Sequence, residues 1–324
     1  MFIPFISKAS SKRARYRYRR KGGGGGGGGG RGGGGSSSGG GRGGSSGGSS
    51  GGSSSGGRSP VSVGSGSTTG GRTSARPYGN GGGNVAMIPA GQLFAGRTQG
   101  GGTRNDVYGT RTYGSGYPGT ASRGVAGLGF PFYFWPVVWG GAAGGGLAYL
   151  HDSEYGDTNN SSRPGGSLTT VPLLPSSGNT TLHIIADNAT TTSLLSSVVS
   201  NCTSFLASNA ANQTILAFDP TNNSMPKPEQ AVQYYRASSI VLSLDGYNDT
   251  VALNQSATVN DTDTPLPSWL NTGLLDCVNQ TIGAAAPLID ADSSATSLSS
   301  TLIAAHGAGV VGVTWLLLFL ISVF

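Results

Sequence analysis

Acid is nearly missing from the first 123 residues, where Asp106 stands alone against 17 Lys/Arg. Residues 124–150 carry no charge of either sign. Cysteine occurs twice, at Cys202 and Cys277, and histidine three times. Two cysteines are too few for a disulfide-rich scaffold, and their spacing fits no metal motif. Apolar residues are sparse at the start, because 49 of the 59 glycines lie in the first 150 residues. A Gly/Ser chain of that kind cannot bury enough apolar surface to offset the entropy of ordering its backbone.

Sequence signatures of catalysis are missing as well. No Gly-x-Ser-x-Gly elbow sits between a strand and a helix. Matches to Gly-x-Gly-x-x-Gly are plentiful, but none follows a strand and opens a helix. His183 lies in an apolar run and reads as a core histidine. His151, Asp152, Glu154 and Asp157 show no ligand spacing and read as a solvated turn. Asp261-Thr-Asp263 and Asp290-Ala-Asp292 lack the nucleotide-binding context that a glycosyltransferase Asp-x-Asp requires. We therefore expect no enzyme, no cofactor and no metal.

What is present is strongly segmented. Residues 1–21 form a basic N-terminal arm, with Lys12, Arg13, Arg15, Arg17, Arg19, Arg20 and Lys21 clustered. Its short apolar run, Phe2 to Ile6, precedes the charges, the reverse of a secretory signal, so no signal peptide is expected there. Residues 22–124 form a Gly/Ser/Arg-rich region read as a disordered, flexible coil. Arg31-Gly-Gly and Arg42-Gly-Gly resemble RGG boxes, but strict RGG occurs only twice and no aromatic interrupts residues 22–77. Residues 125–150 form an aromatic/Gly apolar segment, long enough to span a bilayer as an internal signal-anchor. Pro131 and Pro136 favour the other reading, an aromatic plug packed on the folded part.

Residues 151–324 invert the charge, with Arg163, Lys227 and Arg236 against 13 acids. Between 151 and 292, eleven of fourteen asparagines open Asn-x-Ser/Thr: Asn159, Asn160, Asn179, Asn188, Asn201, Asn212, Asn222, Asn248, Asn254, Asn260 and Asn279. One match is weak; eleven together indicate passage through a glycosylating lumen. That lumen is oxidising, so Cys202 and Cys277 are expected to pair.

Helical periodicity appears three times. Leu194, Leu195, Val198, Val199, Cys202 and Leu206 share a face over 190–208. Over 228–244, Pro228 suits a first turn and Ala231, Val232, Tyr235, Ser239 and Leu242 line up, although Ser239 to Leu244 also fits a strand. Trp269, Leu270, Leu274, Cys277, Val278 and Ile282 share a face over 267–284. The expected fold is a mostly disordered N-terminal half, then a small mainly α domain at 151–292. That domain has about three helices, room for one short strand or hairpin, one disulfide, and then a C-terminal apolar helix; residues 182–186 are too short to classify and could be one strand.

Residues 302–324 hold no Asp, Glu, Lys or Arg and run to the final residue. Twenty-three helical residues reach about 35 Å, enough for a hydrocarbon core of about 30 Å. Small residues near Ser293 and Ser294, a polar spacer and an apolar tail fit a glycolipid-anchor signal, with either serine as the attachment point. A retained transmembrane helix is the other reading of 293–324.

Phe134 to Gly145, Asn160 to Gly166, Pro228 to Ser239 and Leu244 to Asn248 carry a resemblance. With the Gly/Arg/Ser tract and the apolar tail, they resemble a family of fungal Gly-rich surface proteins of unknown function. The resemblance covers roughly residues 130–324 and implies a family and a kingdom, but no activity. In the order of its parts alone, the chain is also similar to the prion-like protein Shadoo. Together these features predict a non-enzymatic, N-glycosylated protein of the cell's outer face. Its expected partners are the membrane, through the tail, and cell-wall polysaccharide or further copies of itself. An RNA-binding protein using the RGG-like arm is a second reading, weighed down by the sequons. A cell-wall enzyme without recognisable motifs is a third.

Overall fold

A five-stranded antiparallel sheet lies at the centre, in the order β7-β5-β6-β9-β8. Its strands are β5 (Leu168–Leu173), β6 (Leu182–Asp187), β7 (Leu216–Ala217), β8 (Ala231–Tyr235) and β9 (Ile240–Leu244). The computed structural model describes residues 58–64, 66–120, 123–140, 147–150, 153–254, 256–257 and 261–291. Among these are two α-helices, α1 (Asn188–Asn201) and α2 (Thr272–Ala285). Two small ribbons precede the sheet: β1 (Val61–Ser62) with β2 (Ser74–Ala75), and β3 (Ala86–Met87) with β4 (Thr98–Gln99).

The sheet overturns the expectation of a mainly α domain. The stretch 228–244 is a hairpin, β8 against β9, with Tyr235 paired to Ile240. Arg236, Ala237 and Ser238 all take positive φ, at 49°, 48° and 57°, and turn the chain between the strands. No right-handed helix contains three such residues. The alternation that marks a strand is hidden here, because every residue from Ile240 to Leu244 is buried. A strand buried on both faces reads as a continuous apolar run, and periodicity alone cannot separate it from a buried helix.

Side chains alternate across the sheet, so each face has its own cover. Tyr235 donates its hydroxyl proton to Asn279 Oδ1 of α2 at 2.7 Å, which puts the helices over one face. Tyr234 points the other way and lies 5.6 Å from Tyr113, ring centre to ring centre. That second face carries Ile185 and Val241, which are cross-strand partners.

The aromatic segment sits in the core. Phe130, Phe132, Tyr133, Phe134, Trp135, Val137 and Trp139 are all buried. Their backbone forms no long helix, and Val137 N donates to Ser238 O at 2.9 Å in the hairpin turn. No helix among the described residues is long and apolar enough to cross a membrane. The apolar helix expected over 302–324, the basic arm 1–21 and the glycine run to 57 lie outside the described residues.

Residues 58–120, expected as coil, are instead ordered against this core. Val63, Ala75, Ile88, Val107, Tyr113 and Tyr117 are buried. Residues 107–110 lie along the outer edge of β8, where Gly109 N donates to Tyr234 O at 2.9 Å and Tyr234 N to Thr110 O at 2.8 Å. An edge covered this way no longer offers unpaired backbone to other chains. The glycines allow close passage over aromatic rings. At Gly100, with φ +87°, a Cβ would lie 2.6 Å from the Tyr133 hydroxyl; at Gly102 it would lie 2.6 Å from the Phe132 ring. Low apolar density excluded a core made by this tract alone. It did not exclude a tract that wraps a core supplied by residues 130–139 and the sheet.

The arginines of the tract hold it in place. Arg104 donates to Gly79 O at 2.9 Å and to Gly283 O at 3.1 Å. Arg111 reaches Tyr247 Oη at 3.2 Å and Thr264 O at 3.0 Å. Arg123 reaches Val251 O at 2.9 Å, Arg72 reaches Tyr133 Oη at 2.6 Å, and Arg97 pairs with Glu154. The charge split between the two halves is therefore partly internal: basic side chains before residue 124 bind carbonyls and an acid after it.

Candidate functional site

Of the eleven sequon asparagines, ten are described, and eight of those are exposed: Asn159, Asn179, Asn188, Asn201, Asn212, Asn222, Asn248 and Asn254. They occur on loops and at both ends of α1. Asn160 is half-buried, and its Oδ1 accepts from Ser162 N at 2.9 Å in a local turn. Asn279 is half-buried on α2 and accepts from Tyr235 through Oδ1, leaving Nδ2 as the atom for a sugar. Asn260, Ser293 and Ser294 lie outside the described residues.

Cys202, directly after α1, and Cys277, on α2, form a disulfide with a Cα–Cα distance of 5.8 Å. Cys202 is fully buried, and the bond ties the two helices together over one face of the sheet. Helix α1 starts where β6 stops. Asp187 ends the strand and caps the helix, accepting from Thr190 N at 2.9 Å.

Beside the C-terminal end of α1 lies an open cleft of about 780 Å³. Arg58, Arg76, Tyr78, Asn80, Asn201 and Asp290 line it. Its floor is held by backbone pairing: Arg76 N donates to Leu288 O at 2.7 Å, and Leu288 N to Arg76 O at 3.1 Å. Gly81 N donates to Asp290 Oδ1 at 2.7 Å, and two nitrogens of Arg104 bind Gly79 O. Tyr78 is 40% exposed and sits at φ 61°, a left-handed conformation that a bulky residue rarely takes. Asn201 Nδ2 donates to Tyr78 Oη at 3.4 Å. Burial pushes the Tyr78 hydroxyl up, but hydrogen bonds from Ser197 and Asn201 and the nearby Arg58 charge outweigh it, and its pKa is lowered.

None of these lining residues stood out in the sequence except Asn201, as a sequon, and Asp290, in a motif read as empty. Arg76-Pro-Tyr-Gly is the only local signal, and it says turn, not site. A second cleft of about 510 Å³ adjoins the first across Arg58 and runs past Ala189 and Ser193 of α1.

His183 and Asp245 make the closest approach to a catalytic arrangement, with Nε2 and Oδ2 at 3.1 Å. Ser243 is the cross-strand partner of His183 and shares its face. Three residues of triad type thus stand together. Ser243 is fully buried, however, and its Oγ and His183 Nδ1 have no partner among the described residues. None of the three lines either cleft described above, and only Asp245 of the three is substantially exposed. No group of three or more His, Cys, Asp or Glu among the described residues is placed to hold a metal.

No family model, curated protein or solved structure matches the chain. Its function has to be read from its own surface chemistry.

Proposed function

We propose that the chain is a non-catalytic, N-glycosylated protein of the cell's outer face, with a structural or adhesive role. The observation that carries this reading is the exposure of eight sequon asparagines around one folded unit. Each can bear a sugar without disturbing the core. A disulfide between α1 and α2 fits the same oxidising route. The resemblance to fungal surface proteins points to the same compartment.

In this reading residues 293–324 hold the protein at the membrane, as a glycolipid-anchor signal or a retained helix. Residues 1–57 carry ten Lys/Arg and no acid, which suits adhesion to acidic wall polymers or neighbouring cells. The RNA-binding reading is weaker, because at least five arginines between 58 and 123 already bind groups within the fold.

The test uses the full chain expressed in a eukaryotic cell. Removal of N-linked sugar by a glycosidase lowers the apparent mass by many kilodaltons; an unchanged mass overturns the proposal. A phospholipase specific for glycolipid anchors then releases the protein from intact cells if the tail is an anchor signal. Persistent attachment after that treatment assigns the tail as a membrane helix.

A further inference from the structure

We propose that the sugar on Asn201 is seated in the cleft, with its first ring against the side chain of Tyr78. The inference rests on the glycoprotein reading above and adds a specific place for one glycan.

The geometry begins at the acceptor atom. Asn201 Nδ2 faces Tyr78 Oη at 3.4 Å. A sugar joined to Nδ2 starts about 1.45 Å away, the length of a single C–N bond. That length lets the first ring of the sugar come within van der Waals reach of the phenol. Asn201 opens Asn-Cys-Thr, and its neighbour Cys202 is buried and bonded to α2, so the asparagine has a fixed base.

The Tyr78 hydroxyl has partners in Asn201 and Ser197, whereas its ring lines the cleft. Its ring is substantially exposed, and its backbone sits in the left-handed region. For a bulky residue that conformation is strained and persists only where the surroundings over-determine it. Here they do. Pro77 precedes it, the backbone of Arg76 pairs with Leu288, and Arg104 grips Gly79 O. At Gly79 a Cβ would lie 2.7 Å from the Asp290 carboxylate, so the turn closes tightly onto that acid.

The cleft has the chemistry of a sugar site. A pyranose presents an apolar face of C–H groups and a rim of hydroxyl and acetamide groups. The Tyr78 ring and Pro60 offer apolar surface, while Arg58, Arg76, Asn80 and Asp290 offer charged and polar groups. The cleft volume of about 780 Å³ falls in the ~300–1,000 Å³ range of small-molecule sites. No other sequon asparagine lines either cleft described above.

The experiment uses full-length protein secreted from a eukaryotic host. Peptide mass spectrometry first reads the occupancy of each sequon. An endoglycosidase then acts on the native protein, and release is timed site by site. Release at Asn201 is expected to be roughly two- to tenfold slower than at exposed Asn212, the size of one aromatic contact. Tyr78→Ala should abolish the lag, and Tyr78→Phe should keep it.

Thermal unfolding gives a second readout. Tyr78→Ala should lower Tm in the glycosylated protein and much less in the Asn201→Gln background. Equal release rates at the two sites, or equal Tm shifts in the two backgrounds, overturn the inference. So does a bare Asn201 among occupied sequons, and that result leaves the glycoprotein reading standing. If every sequon is bare, the underlying reading falls with it.

Discussion

The guanidinium of Arg236 meets the carboxylate of Asp187 at 2.7 Å, with both side chains buried. Each has further duties. Arg236 also donates to Pro287 O at 2.9 Å, to Thr190 Oγ1 at 3.1 Å and to Ser239 Oγ at 2.8 Å, and it lies 3.4 Å over the Phe134 ring. Burial lowers its pKa to about 10, and the Asp187 charge works against that shift. The pair joins the hairpin turn, the start of α1, the chain after α2 and the aromatic segment at one point.

Breaking this pair from one side should be costly. Asp187→Ala leaves a buried positive charge without its partner, a change worth about 3–5 kcal/mol. It also removes the cap of α1, worth about 0.5–2 kcal/mol. Urea unfolding of the variant measures the loss. The double variant Asp187→Leu/Arg236→Met should lose less than the two single changes summed, because neither charge is then stranded.

The disulfide closes a loop across 75 positions. In the chain-entropy picture, a loop of that length is worth roughly 4 kcal/mol through the unfolded state. Cys202→Ala/Cys277→Ala should lower the urea midpoint accordingly. Wild-type protein with the bond reduced should match the variant.

Alkali should unfold the protein through its tyrosines. Burial raises the pKa of Tyr234 and Tyr235 well above 10. A raised folded-state pKa means that the folded state keeps protons the unfolded state loses above pH 10. The resulting stability is complete below pH 10 and falls as pH rises beyond it. Buried Arg163 and Arg236, lowered to about 10, act with the opposite sign between pH 10 and 12.5. A spectrophotometric titration should show exposed Tyr78 ionising first. Tyr234 and Tyr235 should ionise only with the loss of near-ultraviolet circular dichroism.

Truncation tests where the domain begins. A fragment of residues 151–291 lacks the aromatic segment and the strip 107–110 along β8. It should show no cooperative thermal transition. A fragment of residues 58–291 should unfold cooperatively, despite a glycine-rich start.

Some of this was legible from local sequence. Both helices were visible because their apolar residues recur at steps of three and four on a single buried stripe. Residues 182–186 are too short to classify from sequence, with a strand as one option, and form most of β6. Half of the hairpin was legible, since Ser239 to Leu244 also fits a strand; β8 was misread because Ala231, Val232 and Tyr235 fall at helical steps. Leu168 to Leu173 carried no legible strand signal for a different reason: adjacent Thr169 and Thr170 break the alternation, and Pro172 inside the run argues against a strand. The cleft was harder still. Tyr78, Arg76 and Asp290 are more than 200 positions apart at the extremes, and long-range pairing, of Arg76 with Leu288 and of Gly81 with Asp290, brings them together.

The sequence by itself determined what depends on short-range chemistry: the Asn-x-Ser/Thr triplets, the charge blocks, the apolar tail and the two helical stripes. Tertiary structure alone decided the fate of residues 66–120. A Gly-rich strand of chain has no core of its own, so its order depends on whether a distant surface can bind it. Here the rings of 130–139 and the edge of β8 provide that surface, and the arginines fasten the chain to it.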